Sequence, residues 1–113
     1  MTLEDVLAAR LDAGQPVPSP LADAPYESWH VIHDDGRVEI GVWEVTPGSF
    51  QGTKEGVYES MHFVAGDGTI TDADGVVTEI GPGVVMFCPD GWSGVWDVRE
   101  TIRKTYTIVK TQP

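Results

Sequence analysis

The chain has 113 residues, enough for one domain with one core and too few for a second folding unit. Eighteen acidic residues against seven basic ones give a formal net charge of -11 at pH 7, which repels phosphate backbones and anionic membranes and argues against a nucleic-acid partner. No stretch approaches the ~20 apolar residues of a membrane span, the N-terminal "MTLEDVLAAR" has neither the basic start nor the apolar core of a secretory signal, and the single Cys88 can form no internal disulfide, so a soluble cytoplasmic protein with no membrane partner is expected.

In chain order, Thr2 is placed to cap a short helix running through Leu11, because Leu3, Val6, Leu7 and Leu11 recur at helical spacing and Asp5 stands where the acid of a capping box belongs. The segment "QPVPSPLADAP" then carries four prolines, which fix extended backbone and remove ladder donors. It reads as an arm running over the surface or onto a partner. From Tyr26 onward the chain changes to short β-branched and aromatic runs broken by glycine: "YESWHVIH", "RVEIGVWEV", "VYESMHFVA", "TIT", "VVTEI", "VVMF", "SGVWDV" and "IRKTYTIVK". "DDGR" and "DADG" are turn signals, since Asp and Gly tolerate positive φ. Residues 1–25 are therefore expected to form a helix and arm, and residues 26–113 an all-β domain whose sheet closes or sandwiches to remove unpaired edges.

Two glycine-rich blocks stand out. In "TPGSFQGTKEGVYESMHFVAGDG", Glu59 lies seven positions before Gly66, and in "GPGVVMFCPDGWSGVWDV" the pattern is Gly83-x5-Pro89-x-Gly91. These resemble the first and second cupin motifs. With "GVWEVTPG" before them and "RETIRKTY" after them, the chain is similar, over roughly residues 26 to 110, to the small cupins related to the ureidoglycine aminohydrolases and the ethanolamine-utilisation cupins. The resemblance implies a double-stranded β-helix, the jelly-roll barrel of the RmlC-like type. It also implies a place for a metal, and there the sequence departs. Metal-binding cupins carry an H-x-H pair ahead of the glutamate and a further histidine after the P-x-G glycine. Here those places hold Thr53 and Glu55, or Gly52 and Lys54 with the longer gap, and Gly94. Glu59 remains, and one carboxylate is a poor site for zinc, iron or manganese. A metal-free barrel with no cofactor is expected. His30 and His33, three apart on a strand, are expected to face opposite sides, and His62 to face away from Glu59.

Alternation sorts the remaining side chains. With Glu59 pointing inward, Met61 and Phe63 follow it, while Tyr58, Ser60, His62 and Val64 face out. In "ETIRKTYTIVK" the two isoleucines Ile102 and Ile108 mark the buried face and take Lys104 and Tyr106 with them. The candidate catalytic set is Glu59, Lys104 and Tyr106, with burial expected to raise the pKa of Glu59 toward that of a proton donor. A purely structural Lys104 to Glu59 ion pair is an equal reading of the same residues. Candidate ligand contacts are Glu55, Met61, Phe63, Phe87, Trp92 and Trp96. Trp96 is singled out because the missing side chain at Gly94 leaves room that an aromatic or a ligand must fill. Trp43 and Trp92 are otherwise core or interface aromatics, and Cys88 in "VVMFC" reads as a buried small hydrophobe.

The expected function is a metal-independent cupin that binds, with or without transforming, a small carboxylated or nitrogen-containing metabolite. Whether it is an enzyme is left open. The alternatives are a non-catalytic binding or accessory cupin and a metal site rebuilt from Glu55, Glu59 and water. The proline-rich arm and aromatic sheet faces point to a homodimer.

Overall fold

The computed structural model describes residues 1–19 and 24–112. Among these are one helix, α1 (Leu3–Ala8), and eight strands: β1 (Gln15–Pro16), β2 (Tyr26–Asp34), β3 (Val38–Val45), β4 (Gly48–Thr53), β5 (Val57–Asp72), β6 (Val77–Ile80), β7 (Val85–Cys88) and β8 (Ser93–Lys110). All pairings are antiparallel, in the order β1-β2-β3-β8-β5-β6, with β4 added to β8 and β7 to β5. The fold is the all-β cupin barrel.

Two long strands organise it. β5 joins the runs read separately as "VYESMHFVA" and "TIT", and β8 joins "SGVWDV" to "IRKTYTIVK". Register shifts between Phe63 and Gly68 bend the β5·β8 ladder, so each strand serves two layers. The first half of β5 and the second half of β8 pair with β7 and β3; the second half of β5 and the first half of β8 pair with β6 and β4. Side chains from both layers meet in one core, with Val45, Met61, Phe63 and Ile102 facing Phe50, Ile70, Trp96 and Val98.

Both predicted turns form. Asp35 Oδ1 accepts from the amides of Arg37 and Val38 at 2.9 and 2.8 Å, and Gly36 takes φ +85°. Asp72 Oδ1 accepts from Asp74 and Val76 at 2.9 and 3.0 Å, and Gly75 takes φ +83°. β4 was not marked as a strand in the sequence; its glycine-rich "GSFQGT" is held by pairing to β8 forty to fifty positions on, not by local propensity.

The N-terminus departs from expectation in length. The capping box is present, with Thr2 Oγ1 accepting from the Asp5 amide at 3.2 Å and Asp5 accepting from the Thr2 amide at 2.8 Å. The helix nevertheless ends at Ala8, not Leu11. Arg103 donates to the carbonyls of Val6, Leu7 and Ala9 at 2.9, 3.1 and 3.0 Å, occupying acceptors that a further turn would use. Val6 alone of the helix is buried, in a small outer cluster with Val42 and Val64. The arm folds back on its own barrel: Gln15 and Pro16 pair with Glu27 and Tyr26, and the Val17 amide donates to the Pro25 carbonyl at 2.8 Å. Residues 20–23 of the arm lie outside the described residues.

A further correction concerns the histidines. A bulge between Val31 and His33 sets His30 opposite Val42 and His33 opposite Ile40, two residues of one face of β3, so the histidines share the outer face instead of dividing between faces.

Candidate functional site

The inner ends of β2, β3, β4, β5 and β8 line a cavity of about 280 Å³. β5 delivers Glu59 from its inward side and β8 delivers Lys104 and Tyr106, as alternation requires; all three line the cavity. Glu59 is 2% exposed and Lys104 4%. Lys104 Nζ donates to Glu59 Oε2 at 2.7 Å, and Lys54 Nζ, from the turn after β4, sits 2.8 Å from Glu59 Oε1. Each carboxylate oxygen therefore holds one ammonium, and the cluster carries two positive charges on one negative.

Aromatic faces complete the surroundings of Lys104. Its Nζ lies 4.3 Å from the centre of the Trp43 ring and 5.2 Å from that of Trp96, and 3.2 Å from Met61 Sδ. A desolvated cation over an indole gains about 2 kcal/mol, which offsets part of the cost of burying the ammonium. Trp43 is itself fixed, its Nε1 donating to Glu27 Oε1 at 2.9 Å. Tyr106 turns its hydroxyl away from Glu59 and donates to Glu39 Oε2 at 2.6 Å. Its ring crosses β3 at Gly41, where a Cβ would lie 2.7 Å from the tyrosine oxygen, so only glycine admits that placement.

The electrostatics correct one expectation. Burial pushes the Glu59 carboxyl up, but the ammoniums of Lys104 and Lys54 outweigh it and hold the carboxyl below its ordinary value. Glu59 is an anion here, not a stored proton. Lys104 is pushed down by burial and by the charge of Lys54, against the pull of Glu59. Glu27 is pushed up by burial, against the Trp43 hydrogen bond and the two lysines. Cys88 is buried beneath the cluster and its thiol is pushed up to about 11 by desolvation, so it is an inert core group.

The expected ligand contacts separate. Trp96 lines the cavity, and Met61 touches the Lys104 ammonium. Phe63 is fully buried against Trp96, with ring centres 5.9 Å apart, and is core. Phe87 does not face the barrel: β7 pairs it opposite Ser60, on the outer face, where it packs on Tyr58 and stays 57% exposed. Glu55 is exposed on the turn and does not reach the cavity. Trp92 fills the space at Gly94, where an added Cβ would meet its ring at 2.7 Å; the aromatic expected there in Trp96 is thus Trp92. Lys54, Glu27, Trp29 and Phe50 line the cavity without having been singled out. For Lys54 a signal existed, since the longer motif gap places it where a cupin ligand would stand.

Among the described residues no three of His, Cys, Asp and Glu converge to hold a metal ion. The residues at Glu59 do not suit one: a divalent cation there would meet two ammoniums already bound to that carboxylate. No helix among the described residues is long and apolar enough to cross a membrane.

The barrel and its inward-facing cluster define a cupin. Residues 32–106 match the EutQ-like cupin domain, and the chain belongs to that family. No curated protein matches it in sequence. Among solved structures it is similar to the EutQ protein of Clostridium difficile, at 16% identity over 93% of this chain and 83% of that one, with a TM-score of 0.74. It is likewise similar to ectoine synthase from P. lautus, at 13% identity over 97% and 76% of the two chains and a TM-score of 0.73. A third is the polyketide cyclase RemF from Streptomyces resistomycificus, at 20% identity over 89% and 80% with a TM-score of 0.66. At these identities the likeness is one of fold.

Proposed function

We propose that the barrel binds a small carboxylate-bearing metabolite without a metal, the ligand's anionic group meeting Lys54 and its apolar part lying against Trp43, Phe50 and Trp96. One observation carries this reading: two ammoniums share the carboxylate of Glu59, so that end of the cavity is locally positive inside a protein of net charge -11. Lys54 spends one donor on Glu59 and has two more, and it borders the cavity next to the exposed Thr53. Glu27, on the facing wall, is pushed up by burial, and its Oε1 is committed to the Trp43 Nε1. The cavity is at the small end of metabolite sites. Similarity in fold to an ectoine synthase and a polyketide cyclase supports a barrel used for small organic molecules.

The ureidoglycine-type metal chemistry is not carried over, because the carboxylate that the motif retains, Glu59, is already bound by the two lysines. Glu59, held as an anion at rest, orients the two ammoniums. Calorimetric titration with short-chain carboxylates and with the matching amides tests this. Carboxylates are expected to bind and amides not, and Lys54→Met is expected to weaken binding about tenfold, or 1.4 kcal/mol. Equal binding of acid and amide would sink the reading, as would a stoichiometric transition metal in protein purified without chelator.

A further inference from the structure

Lys104 does more than balance a charge. It is an amine enclosed on three sides by aromatic rings, Trp43 at 4.3 Å, Trp96 at 5.2 Å and Tyr106 at 6.0 Å, with a second ammonium held on the far oxygen of its own counter-ion and a cavity in front of it. A purely structural ion pair needs neither the second lysine nor access to the cavity. Desolvation and a neighbouring cation are the two conditions that favour the neutral, nucleophilic form of a lysine amine. A hydrogen-bonded carboxylate at 2.7 Å supplies the third requirement, a place for the proton.

We propose that Lys104 forms a covalent imine with a small oxo acid, a carboxylate that also carries an aldehyde or ketone carbonyl, held by its carboxylate at Lys54. This rests on the anion-binding reading above and names the substrate class more closely. The steps balance without a further reactant. Lys104 gives a proton to Glu59 Oε2 and becomes a neutral amine. The amine lone pair adds to the carbonyl carbon, the C=O π pair moves to oxygen, and a proton passes from nitrogen to that oxygen to give a carbinolamine. Glu59 then returns its proton to the hydroxyl, the C–O bond breaks, water leaves, and the nitrogen lone pair forms the C=N bond. The product is an iminium facing the Glu59 carboxylate, so the pair begins and ends with one positive and one negative charge. The indole faces that accept an ammonium also accept the iminium.

The chain has three lysines, Lys54, Lys104 and Lys110, and Lys110 is exposed at the end of β8, which makes it an internal control. The full-length protein is incubated with pyruvate or glyoxylate and cyanoborohydride, and the reduced adduct is counted by intact mass and placed by peptide mapping. One adduct per chain is expected, at Lys104, with labelling at least about tenfold faster than at Lys110, since Lys54 beside Lys104 holds the oxo acid's carbonyl within reach of its amine. Lys54→Met is expected to slow labelling while leaving its position at Lys104, and propionate, which has the carboxylate but no carbonyl, is expected to compete. Lys104→Arg, which keeps a cation against Glu59, removes the adduct and checks that the label reports this residue. Labelling spread evenly over Lys54, Lys104 and Lys110, or none at Lys104, overturns the proposal. Calorimetry separates the two levels: pyruvate that binds but is never trapped ends the imine and keeps the anion site, whereas neither binding nor trapping ends both.

Discussion

Arg103 and Lys104 are neighbours on β8, and alternation sends them to opposite sides of the same sheet. Arg103, on the outer face, spreads its planar fork over three carbonyls at the end of α1 and over Glu44 Oε1, at 3.2 Å from Nε and 3.1 Å from Nη2. It holds one element to another. Lys104, on the inner face, ends in a compact charge with one carboxylate, a thioether and three aromatic faces around it. A guanidinium suits the outer task because its donors are fixed in a plane and it never loses its proton. An ammonium suits the inner one because it fits under rings and can become an amine. Two adjacent cations are thus a staple and a pocket group, and the difference lies in their chemistry and in what each face of the sheet offers.

Removing the inner cation has the largest expected effect. Lys104→Met leaves Glu59 buried with only Lys54, and breaking a buried pair costs about 3 kcal/mol or more. Urea denaturation should show that loss, and the double substitution Glu59→Met with Lys104→Met should recover part of it, because the buried Glu59 Oε2 left without its donor is then gone. A double variant no more stable than Lys104→Met would mean that Lys104 acts by packing and not through Glu59.

Acid probes the same cluster without mutation. The folded carboxyl of Glu59 lies below its ordinary value of 4.5, so its contribution is complete above that value and is lost as pH falls through the folded one. Stability of the wild type should therefore drop on acidification more steeply than that of Glu59→Gln. Parallel curves for the two proteins would show that the ammoniums contribute nothing through this carboxylate.

The outer cation should matter less and more locally. Arg103→Ala frees the carbonyls of Val6, Leu7 and Ala9 to water and loses the charge-assisted bonds to Glu44, for about 1–2 kcal/mol. Amide exchange should rise in α1, while ligand binding in the cavity stays unchanged. Weakened binding would show that the two faces of β8 are coupled.

How much of this the sequence disclosed depends on whether a residue's partners alternate visibly. In "IRKTYTIVK" isoleucines mark one face, so Lys104 and Tyr106 were readable as inward, and in "VYESMHFVA" Met61 and Phe63 did the same for Glu59. "VVMFC" is apolar at every position, so its faces cannot be told apart, and only the pairing of Phe87 with Ser60 shows that it looks outward. Lys54 stood at a motif position, but β4 exists through its pairing with distant β8, so the turn after it had no predicted direction. The sign of the Glu59 shift went unread with the same omission, since Lys54 adds a second charge and a second hydrogen bond against burial. Glu27 alternates with Trp29 in "YESWHVIH" and was legible in principle, but a glutamate beside exposed histidines gives no reason to place it inside.

The smallest effect sharpens the comparison from the other end of α1. Thr2 caps the helix at its first turn while Arg103 closes its last, and the two act on different orphan groups: the hydroxyl takes an N–H and the guanidinium takes C=O groups. An N-cap replaced by alanine costs a helix about 1 kcal/mol. α1 has only six residues, too few to stand alone in water, so its helicity comes from its docking on Val42 and Val64 more than from its cap. Thr2→Ala should therefore fray the first turn and leave exchange around Val6 nearly unchanged, whereas Arg103→Ala should loosen the whole element. If Thr2→Ala released the helix as fully as Arg103→Ala does, the helix would be held by its own capping, and the outer face of β8 would lose the role assigned to it.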